Sequence, residues 1–301
     1  TDLGGYMMKN ASLRYGAHGV FADAWTDIAG AGALLDSIGV PPEADKFYVM
    51  NPFTATKLAS AQNGLNASDG LVRTAWENSQ ISANFGGLRA LTSQSLNTFT
   101  SGTGADRAGT LSAAPNATYL AAKDTMTQSI AVTALQANMP VKAGDMIKIA
   151  DVNRLNINSR TAMIDENGAA VHWTGVVTAD VTLDGSGAGT LVVAGPAIFE
   201  ANGQYNTVDA APASGAVVTI LSASNATYQP NLFYMKQAFG IGTVKLPKLY
   251  STDTIATTED GMSIRVSKYS DGDANTQKVR FDCLPAYATF NPFMAGHGFG
   301  V

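Results

Sequence analysis

Between Gln128 and Tyr228 the chain reads as one strand after another, and few folds can be built from such a block. Its candidate strands are SIAVTAL (129–135), DMIKIA (145–150), RTAMI (160–164), AAVHWTGVVTADVTL (169–183), GTLVVAG (189–195) and AVVTILSA (216–223). Turn signals stand between them: Gly144-Asp145, Asn167-Gly168 and Asp184-Gly185. Asn-Gly or Asp-Gly between alternating strands marks a hairpin, because these residues tolerate positive φ. Six short strands with such turns predict a small closed barrel.

The flanks read differently. Residues 1 to about 39 have apolar residues at helical spacing: Met7, Met8, Ala11 and Tyr15, then Ala22, Trp25, Ile28 and Ala29. Asp23 is placed to cap or start the second helix, and Gly39 with Pro41 and Pro42 stops it. KFYVM (46–50) is a short apolar strand, and Asn51-Pro52 is a turn and helix-start signal. TATKLASAQNG predicts a helix ending at Gly64, and residues 68–96 mix a helix with a strand near Leu88 to Leu91. From about 100 to 128 the chain is a polar, low-complexity stretch without strong periodicity, expected as a loop. After Asn231 come a mixed aromatic strand segment and a long hairpin around Asp271-Gly272. The β block, about 102–228, therefore looks inserted into an α+β host that resumes where it left off.

Composition narrows the function. Hydrophobic residues make up 46% of 301, enough for a sizeable core. Charged residues are only 14%, well under the roughly 25% usual for soluble domains, so the surface suits one largely covered by neighbours. Net charge is −5, with no Lys/Arg run, which argues against a nucleic-acid-binding face. Cys283 is the one cysteine, so no internal disulfide forms; it is expected as a buried strand thiol. No apolar run approaches the roughly 18 residues of a membrane span, and no signal peptide is visible. The chain starts at Thr1, as if inside a running helix, so a preceding segment is expected.

No catalytic constellation emerges. His18, His172 and His297 lie far apart in different kinds of segment, with no HxH or HxxxH spacing, and no metal or cofactor site is expected. GSGAGT (185–190) lacks the ending of a phosphate loop and reads as a flexible turn. Asp271, Asp273, Asn275 and Asp282 occupy calcium-loop positions, but Thr276 stands where that loop has Gly, and a hairpin turn is the better reading. Asp165-Glu166 and Glu259-Asp260 sit beside Gly turns and read as solvated loop ends.

Four segments, in order, resemble the major (coat) capsid proteins of tailed bacteriophages. They are FADAWTDIAGAGALLDSIGVPPEADKFYVMNPFTATKLA (21–59), ISANFGGLRALTSQSLNTFTSGT (81–103), MPVKAGDMIKIADVN (139–153) and KVRFDCLPAYATFNPFMAGHGFGV (278–301). The nearer likeness is to the subgroup of the Hong Kong 97-type fold with an inserted β-barrel domain, as in the coat protein of a short-tailed Salmonella phage. The resemblance implies an α+β fold with axial and peripheral domains. Residues 1–29 would hold the end of a spine helix, whose start and N-terminal arm would precede Thr1. Residues 30–101 and 229–260 would be axial, 102–228 the insertion, and 261–301 the closing peripheral strands. It implies a structural, non-enzymatic protein of the virion, assembled in the bacterial cytoplasm. Hexamers and pentamers would close an icosahedral head around double-stranded DNA held without sequence-specific contact. A scaffolding protein would assist and a portal protein would occupy one vertex; no membrane is involved. In the long loop, Arg107, Lys123 and Asp124 are candidates for ion pairs between subunits, with a solvated loop as the alternative. The rival readings are an extracellular β-rich adhesion or carbohydrate-binding module, which leaves the α+β flanks unexplained, and an enzyme with an accessory barrel acting through His172 or Asp165.

Overall fold

A computed structural model describes residues 2–61 and 84–300. The helix expected beyond Ser60 and the one before Leu88 fall partly or wholly outside those residues.

The front of the chain is less helical than its periodicity predicts. Helices Asp2–Asn10 and Trp25–Ile38 form, but residues 11–24 do not join them. Instead Leu13–Arg14 is a strand, pairing parallel to Ala295–Gly300. Gly16 has φ +81°, and the Phe299 ring fills the space its side chain would occupy, so the helical path is broken there. The second helix is capped from within rather than by Asp23: the Asp27 carboxylate accepts from the amides of Asp23 and Ala24, both at 3.2 Å. It stops at Gly39 (φ 113°), whose amide and that of Val40 return to the carbonyls of Asp36 and Leu35. Asn51 caps helix Pro52–Ser60 as the Asn-Pro signal predicts, its side chain accepting from Phe53 N at 2.8 Å.

These elements surround a six-stranded mixed sheet in the order Leu13–Arg14, Ala295–Gly300, Pro230–Met235, Lys46–Met50, Leu88–Thr92, Asn84–Phe85. Lys46–Met50 is parallel to Leu88–Thr92 and antiparallel to Pro230–Met235. Trp25, Ile28, Leu35, Ile38, Tyr48, Leu58, Leu88 and Phe233 form the host core. Lys46, at the head of the central strand, is buried, and its ammonium pairs with Asp36.

The chain leaves the host through Phe99–Thr100 and returns through Thr227–Tyr228, two strands paired with each other. Between them lies a closed barrel of six antiparallel strands. Around the barrel they are His172–Val177, Gly189–Ala194, Thr127–Thr133, Ala108–Leu111, Val217–Ile220 and Met146–Asn153. Ile130, Val132, Ile147, Ile149, Leu191, Val193 and Val218 fill it around Trp173, whose Nε1 donates to Gly195 O at 3.0 Å.

Two expectations for this region fail. RTAMI is not a strand: Arg160 holds φ 60°, and Ala162 and Ile164 make only isolated bridges. Met163 from this stretch is buried in the host core instead. The sixth barrel strand is Ala108–Leu111, from the stretch expected as loop, which closes the ring between Val217–Ile220 and Thr127–Thr133. Its neighbour Tyr119–Ala122 is a helix of one turn.

Phe239–Phe290 is a second compact unit. In it Phe239–Thr243 pairs with Pro285–Thr289, and Thr254–Thr257, Ser263–Asp271 and Thr276–Asp282 form a three-stranded antiparallel sheet. The hairpin around Asp271-Gly272 forms as predicted, with Asn275 at φ 47°. Cys283 is exposed and lies just beyond the strand, contrary to the expected buried thiol.

Candidate functional site

Several buried polar groups of the larger unit lie where barrel and host meet. Arg154, at the end of the barrel strand Met146–Asn153, is 1% exposed. Its Nη2 donates to Ser12 O at 3.0 Å and to Thr174 O, and its guanidinium lies 5.7 Å from the Phe293 ring centroid. Thr174 Oγ1 donates to the same Ser12 carbonyl at 2.7 Å. Burial pulls the Arg154 pKa down to about 9, still charged near neutrality. Among the described residues the cation is held by carbonyl dipoles and a ring face rather than by a carboxylate. Asn156 and Asn158 extend the seam, their side-chain amides donating to Ser37 O (2.7 Å) and Gly39 O (3.0 Å) at the helix end.

Two of the three histidines converge, which their sequence separation did not predict. His18 Nε2 and His297 Nδ1 are 3.2 Å apart, and His297 Nε2 is 2.7 Å from Met8 O. A carbonyl only accepts, so His297 carries a proton on Nε2; in the neutral pair its Nδ1 then receives the His18 Nε2–H. Burial is the main cause that holds them below the usual imidazole range, His297 to about 4; His18 also faces His297 and Arg14. Phe99 and Tyr228, from the two strands entering and leaving the barrel, pack on His18 at 5.7 and 5.4 Å. One knot thus joins the first helix, the last strand and both barrel connections.

The Gly144-Asp145 turn explains its own buried acid. Asp145 is 0% exposed; its carboxylate accepts from Lys142 N at 2.9 Å and from the Ser222 hydroxyl. Ser222 in turn receives Ser101 Oγ and Arg107 Nη1. Arg107 also donates to Gly104 O (3.2 Å) and Gly102 O, so its donors close its own loop. Lys123 and Asp124 lie exposed after the short helix and form no ion pair among the described residues.

His172, Asp165 and Glu166 line a cleft of about 610 Å³ together with Arg14, Tyr15 and Lys148. Among the described residues no nucleophile–base pair is set there. His172 Nδ1 meets Asn153 Oδ1 at 3.1 Å, and Asp165 Oδ1 accepts the amides of Asn167 and Ala169 within its own turn. Of the calcium-like acids, Asp271 pairs with Lys278 at 3.0 Å and Asp282 with Arg265 at 2.6 Å. Among the described residues no His, Cys, Asp and Glu group is arranged to hold a metal ion.

These polar groups fasten segments that lie far apart in the chain to one another. The chain belongs to the P22 coat protein family: a model of that family, described as "P22 coat protein - gene protein 5", matches residues 1–300. It is 42% identical over 303 residues to the major capsid protein of Acyrthosiphon pisum secondary endosymbiont phage 1, an alignment covering 100% of this chain and 71% of that protein.

Proposed function

We propose that this chain is a major capsid protein whose copies form hexamers and pentamers of an icosahedral phage head enclosing double-stranded DNA. The observation that carries the reading is the match to the coat-protein family along the whole chain. The mixed sheet with an intervening closed barrel is consistent with the axial and peripheral parts of the Hong Kong 97-type fold and an insertion domain. On this reading 102–228 is the insertion, 30–101 with 229–260 the axial part and 1–29 with 261–301 the peripheral part. The compact unit Phe239–Phe290 straddles the second of those boundaries. Assembly takes place in the bacterial cytoplasm with a scaffolding protein and a portal at one vertex, and the product resides in the virion. Such shells reuse one subunit surface in many contacts, which suits a chain with 14% charged residues. The interior DNA is held by confinement, so a net charge of −5 is compatible with it. Within the insertion, Lys123 and Asp124 are the free candidates for ion pairs between subunits, whereas Arg107 is already used by its own loop.

The test is sedimentation and negative-stain imaging of the gene product expressed with its neighbouring genes. Closed shells tens of nanometres across support the reading. A discrete monomer or small oligomer under all assembly conditions sinks it.

A further inference from the structure

The unit Phe239–Phe290 is built inside out for a lone subunit. Its buried residues are Asp253, Ser263, Arg265 and Ser267, all polar; no apolar residue of this fully described unit is buried. Yet it is 52 residues long and holds eight of the sixteen exposed large apolar side chains among the described residues.

The register of the three-stranded sheet shows how this arises. Thr254 stands opposite Val266, Ala256 opposite Ile264, Phe281 opposite Val266 and Val279 opposite Lys268. Directly opposed residues share a face. Ile264, Val266, Val279 and Phe281 therefore share one face with Thr254, Ala256, Lys268, Ser270 and Gln277; Ile264 and Val266 are half-buried, Phe281 is 73% and Val279 52% exposed. The other face carries Arg265, Ser267 and Tyr269. Arg265 is tied to Asp282 and to Pro247 O, and Tyr269 stacks on Tyr250. A half-buried antiparallel sheet normally turns its apolar face inward. This one turns Val279 and Phe281 outward, the polarity of a surface that another molecule covers.

We propose that this face packs against a neighbouring copy of the same chain; the proposal rests on the reading that the chain assembles into a shell. Charge favours a copy. The unit has six cationic and six acidic side chains, so it offers neither a basic footprint for DNA nor a net charge that repels its like. Both ends of the strands carry both signs: Asp271, paired with Lys278, and Asp273 share the far end with Lys268, and Arg265 and Arg280 lie toward the other. Glu259 and Asp260 occupy the turn at one end of Ser263–Asp271, while Lys268 stands near the other end on the face of Phe281, and none of the three has an ion-pair partner among the described residues. Two copies placed end to end set the acidic turn of one against Lys268 of the next.

Area indicates where the contact forms. A nine-residue strand in a three-stranded sheet gives a face ~30 Å long and ~14 Å wide, on the order of 400 Å². That is about half of what one partner contributes to a stable dimer. The contact is thus weak alone and persists where several contacts act together, as in a closed shell. Isolated subunits stay monomeric.

Cys283 reports on this directly, since it is the sole cysteine, is exposed, and lies two residues beyond Phe281. A maleimide should label it in isolated subunits, and labelling should fall at least tenfold in assembled shells of the full chain. Phe281→Asp should leave subunit circular dichroism and cooperative unfolding intact and reduce shell yield at least tenfold. Lys268→Glu should block assembly, and adding Glu259→Lys with Asp260→Lys should restore it. Shells in which Cys283 stays fully reactive, or in which Phe281→Asp assembles at the wild-type rate, overturn the proposal and leave the capsid reading standing. Failure of the charge exchange to rescue, with Cys283 protected, overturns the end-to-end copy as the occupant. A wild-type chain that forms no shells with its neighbouring genes overturns both readings.

Discussion

Arg154 and the His18–His297 pair are single residues that hold distant parts of the chain, and each makes a measurable prediction. Arg154→Met keeps most of the volume but removes the donors to Ser12 O and Thr174 O. A stability loss of roughly 2–3 kcal/mol is expected, because buried carbonyls lose partners. Arg154→Ala adds a cavity and should cost about 4 kcal/mol. Chemical denaturation of the subunit checks both, and equal stability of Arg154→Ala and wild type would remove Arg154 as the fastener. The histidines predict a pH dependence. An unfolded histidine titrates near 6.5, and folded His297 near 4, so between these values the unfolded state binds more protons. Stability is complete above about pH 6.5 and declines as pH is lowered toward 4, by roughly 3 kcal/mol for His297 alone. The urea midpoint should therefore fall between pH 6.5 and 5, before most carboxylates titrate. His297→Asn should be less stable at pH 7.5 and flatter across that window; an unchanged slope would move the pH dependence elsewhere.

At the scale of elements, the strand Ala108–Leu111 closes the barrel, although it is only four residues long and contains Gly109. A Cβ on Gly109 would run into Thr133 O and Leu135. Gly109→Val should therefore force the seam with Thr127–Thr133 apart and cost about 1–3 kcal/mol. Amide exchange should quicken in Thr127–Thr133 and Val217–Ile220 and stay slow in the host strand Lys46–Met50. Uniform quickening would mean that barrel and host open together. The turn at Asp184 is held by its own carboxylate, which accepts from Ser186 N, Ser186 Oγ and Ala188 N. Those bonds, led by the Ser186 hydroxyl, hold Asp184 below the usual carboxylate range, and they explain why this hairpin was readable from sequence.

For the larger unit as a whole, barrel and host share more than two connecting strands. Met163 sits in the host core, Arg154 reaches Ser12, and Asn156 and Asn158 satisfy the end of helix Trp25–Ile38. Replacing 103–225 by a short Gly-Ser linker should therefore leave the host insoluble or prone to aggregate, because the cavity of Met163 and the helix-end carbonyls open to water. The separated barrel, with its own closed ring and core, should stay soluble and unfold cooperatively. Soluble, cooperatively folding host after the excision would show that the seam is dispensable to it.

The sequence by itself determined what depends on neighbours in the chain. Alternation and turn chemistry placed Thr127–Thr133, Met146–Asn153 and Gly189–Ala194; Gly39, Asn51 and Asp271-Gly272 placed two helix ends and a hairpin. The ordered segments that resemble capsid proteins pointed to the family. Only the tertiary structure decided what depends on partners far along the chain. Residues 11–24 have helical spacing but lose it to Phe299 and to pairing with the last strand. Ala108–Leu111 has no pattern to read, because its strand state comes from two neighbours that need an edge. His18 and His297 meet across 279 positions, and no local spacing encodes that. The outward face around Phe281 was invisible for the same reason: alternation fixes which residues share a face, while which face is covered is settled by packing.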